Sequence, residues 1–594
     1  MSAESPRGSA IPWRSLGSVA VLALVGIAMY YATPPSEGPP PVPPTPPVEV
    51  QSKSEGELTQ IFAGMQTGRL DIAQDRVAAS NELSRWLKRY PQPADKPLTE
   101  DGDLLAELLS PDALDLVQSD QCLPADAAHI RMSFLASEMV TAIEDAHPRP
   151  DRQTDADRET ELVSLLFEFV WENVAEDGQQ KSLTPYEVFF MGRGTVLDRI
   201  WCFAELVRQL ELDTVIIASK SQNKDVAALV GVITHDHRVL VFDPATGMPL
   251  FDPAAEGNSL DPHIPVTLET VRDNPAILKE FEYGPIGQSI PGFKLPLEPE
   301  DLKSVQVLIV GNASLWSPRM ATVEFRTPVD VKARLYAGLG KNALRGEGSY
   351  QRVVAAGEPH GLWKAEDVSV WYVPISHERQ HEDLRSRNDE NLSRIQQMMQ
   401  GPMVPSADGT SLEPARNSLE KIRFEQLTGH EATALSQLLP VRNSFQRVPI
   451  PLNQLIADIA TYRAAECQLA LGKAESAEKT LRSYILDENF QHIFAQEAIE
   501  RVAKIKMQAA FAADREQATQ LENPIAILAP APQNTLRELF TLHRWYRLLM
   551  AQGKLPPLES VTPSTQSAEA ESKIERPQSP ALPEAVAPPG EAGN

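Results

Sequence analysis

The sequence predicts an α+β protein, and three observations carry that prediction. Leu162, Leu165, Leu166 and Phe169 form an amphipathic helical stripe ending near Trp171. A glycine-flanked turn, Gly192-Arg-Gly194, then opens a helix that is apolar on most of its circumference, and a β-branched run, Thr214-Val-Ile-Ile-Ala218, follows it. Finally, Ala227 to Ile233 and Arg238 to Phe242 are two apolar runs joined by Thr234-His-Asp-His237, which reads as a hairpin. Helix, buried helix and sheet in that order define the class.

Before that core, Arg7 and Arg14 precede an uncharged stretch from Leu16 to Ala32, long enough to cross a bilayer. A cleaved signal peptide is the rival reading, but Tyr30-Tyr31-Ala32 lacks the small residue expected three before a cut. An uncleaved anchor leaves residues 1–15 as a cytoplasmic stub and the bulk of the chain extracytoplasmic, in a bacterial periplasm or cell envelope. The linker, 33–54, carries nine prolines between Pro34 and Pro47 and reads as a stiff polyproline spacer. From Leu58 the pattern is helical, with Leu83, Trp86, Leu87 and Tyr90 on one face and Met132, Leu135 and Met139 on another.

The predicted core spans 156–265, and a mixed extension, 266–400, follows. Its clearest strands are Val305 to Val310 and Val368 to Val373. Residues 401–414 read as a linker. Ile456 to Asp487 reads as a helix pair about Leu471-Gly472-Lys473, and Gly472, Ala477, Leu481 and Tyr484 resemble the small-residue pattern of a tetratricopeptide repeat. Phe494 to Phe511 and Thr535 to Met550 are candidate neighbours within a helical domain, 415–556. Residues 557–594, rich in Ser, Glu, Ala and Pro, read as a disordered tail.

With 55 basic and 81 acidic side chains in 594 residues, the net charge of -26 argues against nucleic acid as a partner. Three cysteines, Cys122, Cys202 and Cys467, are too few and too far apart for a disulfide framework.

Leu162 to Asp243 resembles the core of the transglutaminase-like superfamily, a papain-like fold. In that family a cysteine heads a buried helix after a glycine turn, and a histidine and an aspartate follow on successive strands. Here Gly194-Thr195-Val196 stands at the turn, Ala204 to Leu212 at the helix end, and Val241-Phe-Asp-Pro244 where the family places its aspartate. The resemblance puts Val196 at the nucleophile position and Asp243 at the aspartate position. Valine offers no nucleophile to a base. The family histidine would fall within Asp225 to Val230, which contains none.

Cys202 lies six residues beyond Val196, about 9 Å along the axis and roughly 120° round, so it cannot take the same place. Asp198 and Glu205 flank it on the same helix face and favour the neutral thiol. His235 and His237 fall in the hairpin turn, where a His-x-His pair can hold a metal but solvent-facing turn histidines are the simpler reading. A separate match, His377-Glu378-Arg-Gln-His381, fits the zincin signature. Its helix has no apolar face until Leu384, which suits a solvated helix start better than a buried zinc site.

The expectation is a membrane-anchored, non-catalytic scaffold that binds a protein or peptide partner in the cell envelope, with no cofactor and no metal. The alternatives are a cysteine hydrolase or acyltransferase using Cys202 with His235 or His237, and a zinc peptidase using His377, Glu378 and His381.

Overall fold

The structure, a computed structural model, describes residues 48–66, 73–91, 102–176, 183–220, 228–244, 247–250, 264–280, 299–340, 348–376, 419–444 and 451–486, with shorter pieces at 297, 397–414 and 494–505. The Leu16 to Ala32 segment, the His377-Glu378-His381 motif, the Thr535 to Met550 helix and the tail lie outside the described residues. Among the described residues no helix is long and apolar enough to cross a membrane.

Helices α1 (Val48–Ala63), α2 (Ala73–Arg89), α3 (Gly102–Leu108), α4 (Pro111–Gln118), α5 (Pro124–Ala146) and α6 (Asp155–Asn173) come first. Helix α1 starts directly after the proline run, ten residues before Leu58, so the span read as linker is helical from Val48. Its first turns are polar and carry no apolar stripe to mark them. Trp86 donates its indole N–H to the Ser54 carbonyl at 3.0 Å, tying α2 to α1.

Strand β1 (Ala175–Glu176), helix α7 (Pro185–Met191), strand β2 (Arg193–Gly194) and helix α8 (Val196–Arg208) follow, then strands β3 (Asp213–Ser219), β4 (Leu229–Ile233), β5 (Val239–Asp243) and β6 (Met248–Pro249). The expected hairpin is β4 and β5, paired antiparallel with Ile233 opposite Val239. Short helices α9 (Leu268–Asp273) and α10 (Ala276–Glu280) precede β7 (Val305–Ile309), α11 (Pro318–Phe325), α12 (Ser349–Gly357) and β8 (Val368–Val370).

One six-stranded sheet runs β6-β5-β4-β3-β7-β8, antiparallel except for the parallel β7–β8 pair. The strands of the extension therefore complete the sheet begun by β3, and the sheet continues well past residue 265. Alternate side chains fill two cores. Ile216, Val230, Phe242 and Leu308 face one, while Val215, Ile217, Val241 and Val307 face the other. A sheet covered on both faces explains the near-continuous apolar runs in these strands.

The segment read as a linker contains an antiparallel pair, β9 (Met403–Pro405) and β10 (Leu412–Pro414). Helices α13 (Leu419–Leu427), α14 (Glu431–Ser444), α15 (Pro451–Ala470) and α16 (Ala474–Leu481) follow. Helix α15 packs against both α14 and α16, so the expected helix pair has a neighbour on its N-terminal side. Gly472 adopts φ 71°, and a Cβ there would meet nothing within 4 Å. It is a left-handed helix terminator rather than a point of close helix approach. Ala477 and Leu481 are buried as the repeat pattern requires, but Tyr484 is exposed. Phe494, Ala498 and Val502 are buried against the same cluster.

These C-terminal helices share one continuous apolar core with α5, α6, α7, α8 and one face of the sheet. They are built into the α+β unit.

Candidate functional site

The position that the resemblance assigns to a nucleophile, Val196, lies at the junction of α7, β2 and α8. Gly192 ends α7 in the left-handed region, φ 64°, and donates its N–H to the Val188 carbonyl at 2.7 Å. The chain then pairs briefly in parallel, Ala175 with Arg193 and Glu176 with Gly194. Thr195 caps α8: its hydroxyl oxygen accepts from the Asp198 N–H at 3.2 Å, while Asp198 accepts from the Thr195 N–H at 2.8 Å. This reciprocal capping box explains why a helix begins here. Val196 is therefore the first helical residue, and it packs partly buried against the main core.

Cys202 is fully buried, and its thiol donates to the Pro185 carbonyl at 3.8 Å. Burial pushes its pKa well above the usual thiol value, and the charges of Asp198 and Glu205 push it further. Glu205 is itself held, accepting from Trp201 Nε1 at 3.0 Å and from Arg208 Nη1 at 2.6 Å. The structure thus sets Cys202 within the influence of the Asp198 and Glu205 carboxylates and against the Pro185 carbonyl.

Asp243 is fully buried at the end of β5. Its carbonyl accepts from the Gly247 N–H at 3.0 Å, next to the start of β6. Beside it the Pro244 carbonyl accepts from Trp171 Nε1 at 3.1 Å, and the Arg199 guanidinium lies 5.9 Å from the Trp171 ring. His235 is exposed in the β4–β5 turn. Its Nδ1 lies 2.6 Å from Glu159 Oε2, and its backbone N–H donates to the same carboxylate. His237 holds the turn's positive φ, 63°. Among the described residues no group of three or more His, Cys, Asp or Glu side chains is gathered as a metal site.

What surrounds the Gly192 turn comes from far along the chain. Arg463 of α15 donates Nη2 to the Met191 carbonyl at 3.1 Å and Nη1 to Glu466 at 2.5 Å. Arg423 of α13 donates Nε to the Phe189 carbonyl and Nη2 to the Asn173 carbonyl, both at 3.0 Å. Arg501 donates to the Glu172 carbonyl. Three guanidinium groups therefore cover the last carbonyls of α6 and α7, which carry the negative ends of both helix dipoles.

Glu466 sits among these arginines. Burial raises its pKa, but Arg463, Arg423 and Arg501 outweigh this and hold the carboxyl below its usual range. Burial and the neighbouring Arg463 charge lower Arg423 to about 9. Arg193, next to Gly192, pairs with Glu497 at 3.5 Å and lies over the Phe494 ring. Sequence reasoning missed this cluster. Its one sequence trace is a charged residue inside an apolar run, Ile459-Ala-Thr-Tyr-Arg463-Ala-Ala465.

A second polar contact joins the same parts. Tyr186 of α7 donates to Glu420 Oε1 of α13 at 2.8 Å and receives a bond from Arg131 of α5 at 3.3 Å. Burial raises Glu420 to about 7, against the lowering influence of Tyr186, Arg131 and Arg76. Because the folded pKa lies above the ordinary value, folding takes up a proton. That stability is fully present in acid below the ordinary carboxylate range and is lost as pH rises through about 7. Glu420→Gln is therefore expected to remove on the order of 2–3 kcal/mol of pH dependence. Urea midpoints of both proteins at mildly acidic and mildly alkaline pH check this. An unchanged pH slope in the variant refutes it.

Comparison with known proteins yields no match: no family model, no curated protein and no solved structure matches the chain.

Proposed function

We propose that this chain is a membrane-anchored, extracytoplasmic scaffold that binds a protein or peptide partner, built on a transglutaminase-like core that has lost its chemistry. The observation that carries the reading is Val196 at the first position of α8, with Thr195 and Asp198 committed to each other in the cap. A family-type acyl transfer needs a nucleophile at that helix start with a base in reach. The one cysteine of α8 is buried a turn and a half further on and kept as a neutral thiol. The turn histidine His235 is engaged with Glu159, near the N-terminal end of α6, whereas the start of α8 adjoins the strand that follows its C-terminal end. The membrane tether rests on the uncharged Leu16 to Ala32 segment.

The test is thiol chemistry on the folded full chain. Iodoacetamide at neutral pH is expected to leave Cys202 unmodified and to label it once the chain is denatured, read by mass spectrometry of the peptides. Rapid labelling of Cys202 in the native protein, together with hydrolysis of model amides or esters that Cys202→Ala abolishes, overturns the non-catalytic reading.

A further inference from the structure

Helix α5 presents a polar face as the floor of a groove of about 680 Å³. The floor residues Phe134, Ser137, Glu138, Thr141, Ala142 and Asp145 follow the three-to-four spacing of a single helix face. From Phe134 to Asp145 the helix rises about 16 Å, which matches about five residues of extended chain. The rest of the lining comes from α1, from the Asp330–Ala333 segment after α11 and from the turn between α13 and α14. That turn approaches closely: a Cβ on Gly429 would stand 3.5 Å from the Ala142 methyl.

The groove has two chemical characters. Phe62 and Phe134 meet edge to face at 5.1 Å and, with Ala333, are buried beneath the groove, and the partly exposed Val331 adds an apolar contact at its surface. Glu138, Asp145 and Asp330 are exposed carboxylates set against one ammonium, Lys332, and one imidazole, His430.

We propose that this groove docks an extended basic peptide segment of a partner protein. Lysine or arginine side chains meet Glu138, Asp145 and Asp330, and an apolar side chain meets Val331 over the buried Phe62–Phe134 pair. The inference rests on the partner-binding reading above and deepens it by naming the surface and the partner's chemistry. Charge complementarity selects this occupant. A second copy of a chain with net charge -26, a phosphate backbone or an anionic lipid surface would each be repelled. The open, elongated form suits an extended segment, in which the backbone spans and alternate side chains specify.

The experiment uses the full chain and two fluorescein-labelled peptides of about eight residues, one alternating lysine with leucine and the other glutamate with leucine, read by fluorescence anisotropy. The lysine peptide is expected to bind and the glutamate peptide not. Glu138→Gln/Asp145→Asn/Asp330→Asn is expected to weaken binding about tenfold or more and to flatten its salt dependence. A control carrying Glu107→Gln/Asp120→Asn/Glu475→Gln, three exposed carboxylates outside the groove, is expected to bind as the parent does. Equal weakening by both triple variants means general attraction to an acidic surface and overturns the groove. So does unchanged binding by the groove variant, binding of neither peptide, or acid-groove-dependent dimerisation in sedimentation. None of these outcomes alters Cys202 labelling, so failure of the groove is distinguishable from failure of the non-catalytic reading.

Discussion

Replacing Gly192 with alanine is expected to destabilise the protein by about 3–5 kcal/mol, because two independent costs coincide there. The residue holds φ 64° at the end of α7, a conformation that costs an L side chain roughly 1–2 kcal/mol. A Cβ at this position would also fall on the Arg463 guanidinium. Arg463 must then leave the Met191 carbonyl and pull on Glu466, which unsettles the whole cluster. A double-mutant cycle separates the two costs. In an Arg463→Ala background Gly192→Ala should cost only the conformational part, about 1–2 kcal/mol, because the colliding group is gone. Urea unfolding of the four proteins decides it. Strict additivity would show that the turn and α15 are energetically independent.

Glu466→Ala should be comparably damaging, at about 3–5 kcal/mol, for an electrostatic reason. The carboxylate bonds Arg463 at 2.5 Å and lies 3.8 Å from both Arg423 and Arg501. Removing it leaves the buried Arg423 and Arg463 guanidinium groups without this counter-charge, while Arg501 keeps Glu172 at 3.8 Å. The pH dependence has the opposite sign to that of Glu420. With the folded pKa depressed, the contribution of Glu466 is present above the ordinary carboxylate range and is lost as pH falls through the lowered value. Parent and variant should therefore converge in acid and diverge toward neutrality. A difference that stays constant across this range counts against the ion cluster as its source.

How much of this was readable from the sequence depends on range. Helix α6, helix α8 and the β4–β5 hairpin were legible because periodicity and a glycine-flanked turn are local signals, whereas the Thr195/Asp198 cap that starts α8 emerged from the structure. Val196 and Cys202 were placed on the right helix for the same reason, with the flanking carboxylates as read. The pairing of β7 with β3 and of β8 with β7 was not legible, since strand partners separated by many tens of residues leave no spacing to count. The β9–β10 pair was hidden by its composition. Each strand ends in proline, and Gly401, Pro402 and Gly409 around them read as linker. Arg423, Arg463 and Glu466 escaped because a buried ion cluster is defined by who meets whom. On a helical wheel Arg463 is only a charge on an otherwise apolar face.

The capping of α6 and α7 by residues far downstream also sets an order of events during synthesis. The carbonyls of Asn173, Phe189 and Met191 are complete on the nascent chain more than two hundred residues before Arg423 and Arg463 exist to receive them. Until then two helix ends and the adjoining apolar surface have no built-in partner. The first half of the protein cannot reach its final state as it emerges and must wait for α13 and α15. Contacts of such long range slow folding and prolong exposure of unfinished surface. A period of exposed helix ends that closes only when residues near 500 have been made is the kinetic consequence of placing these arginines far along the chain.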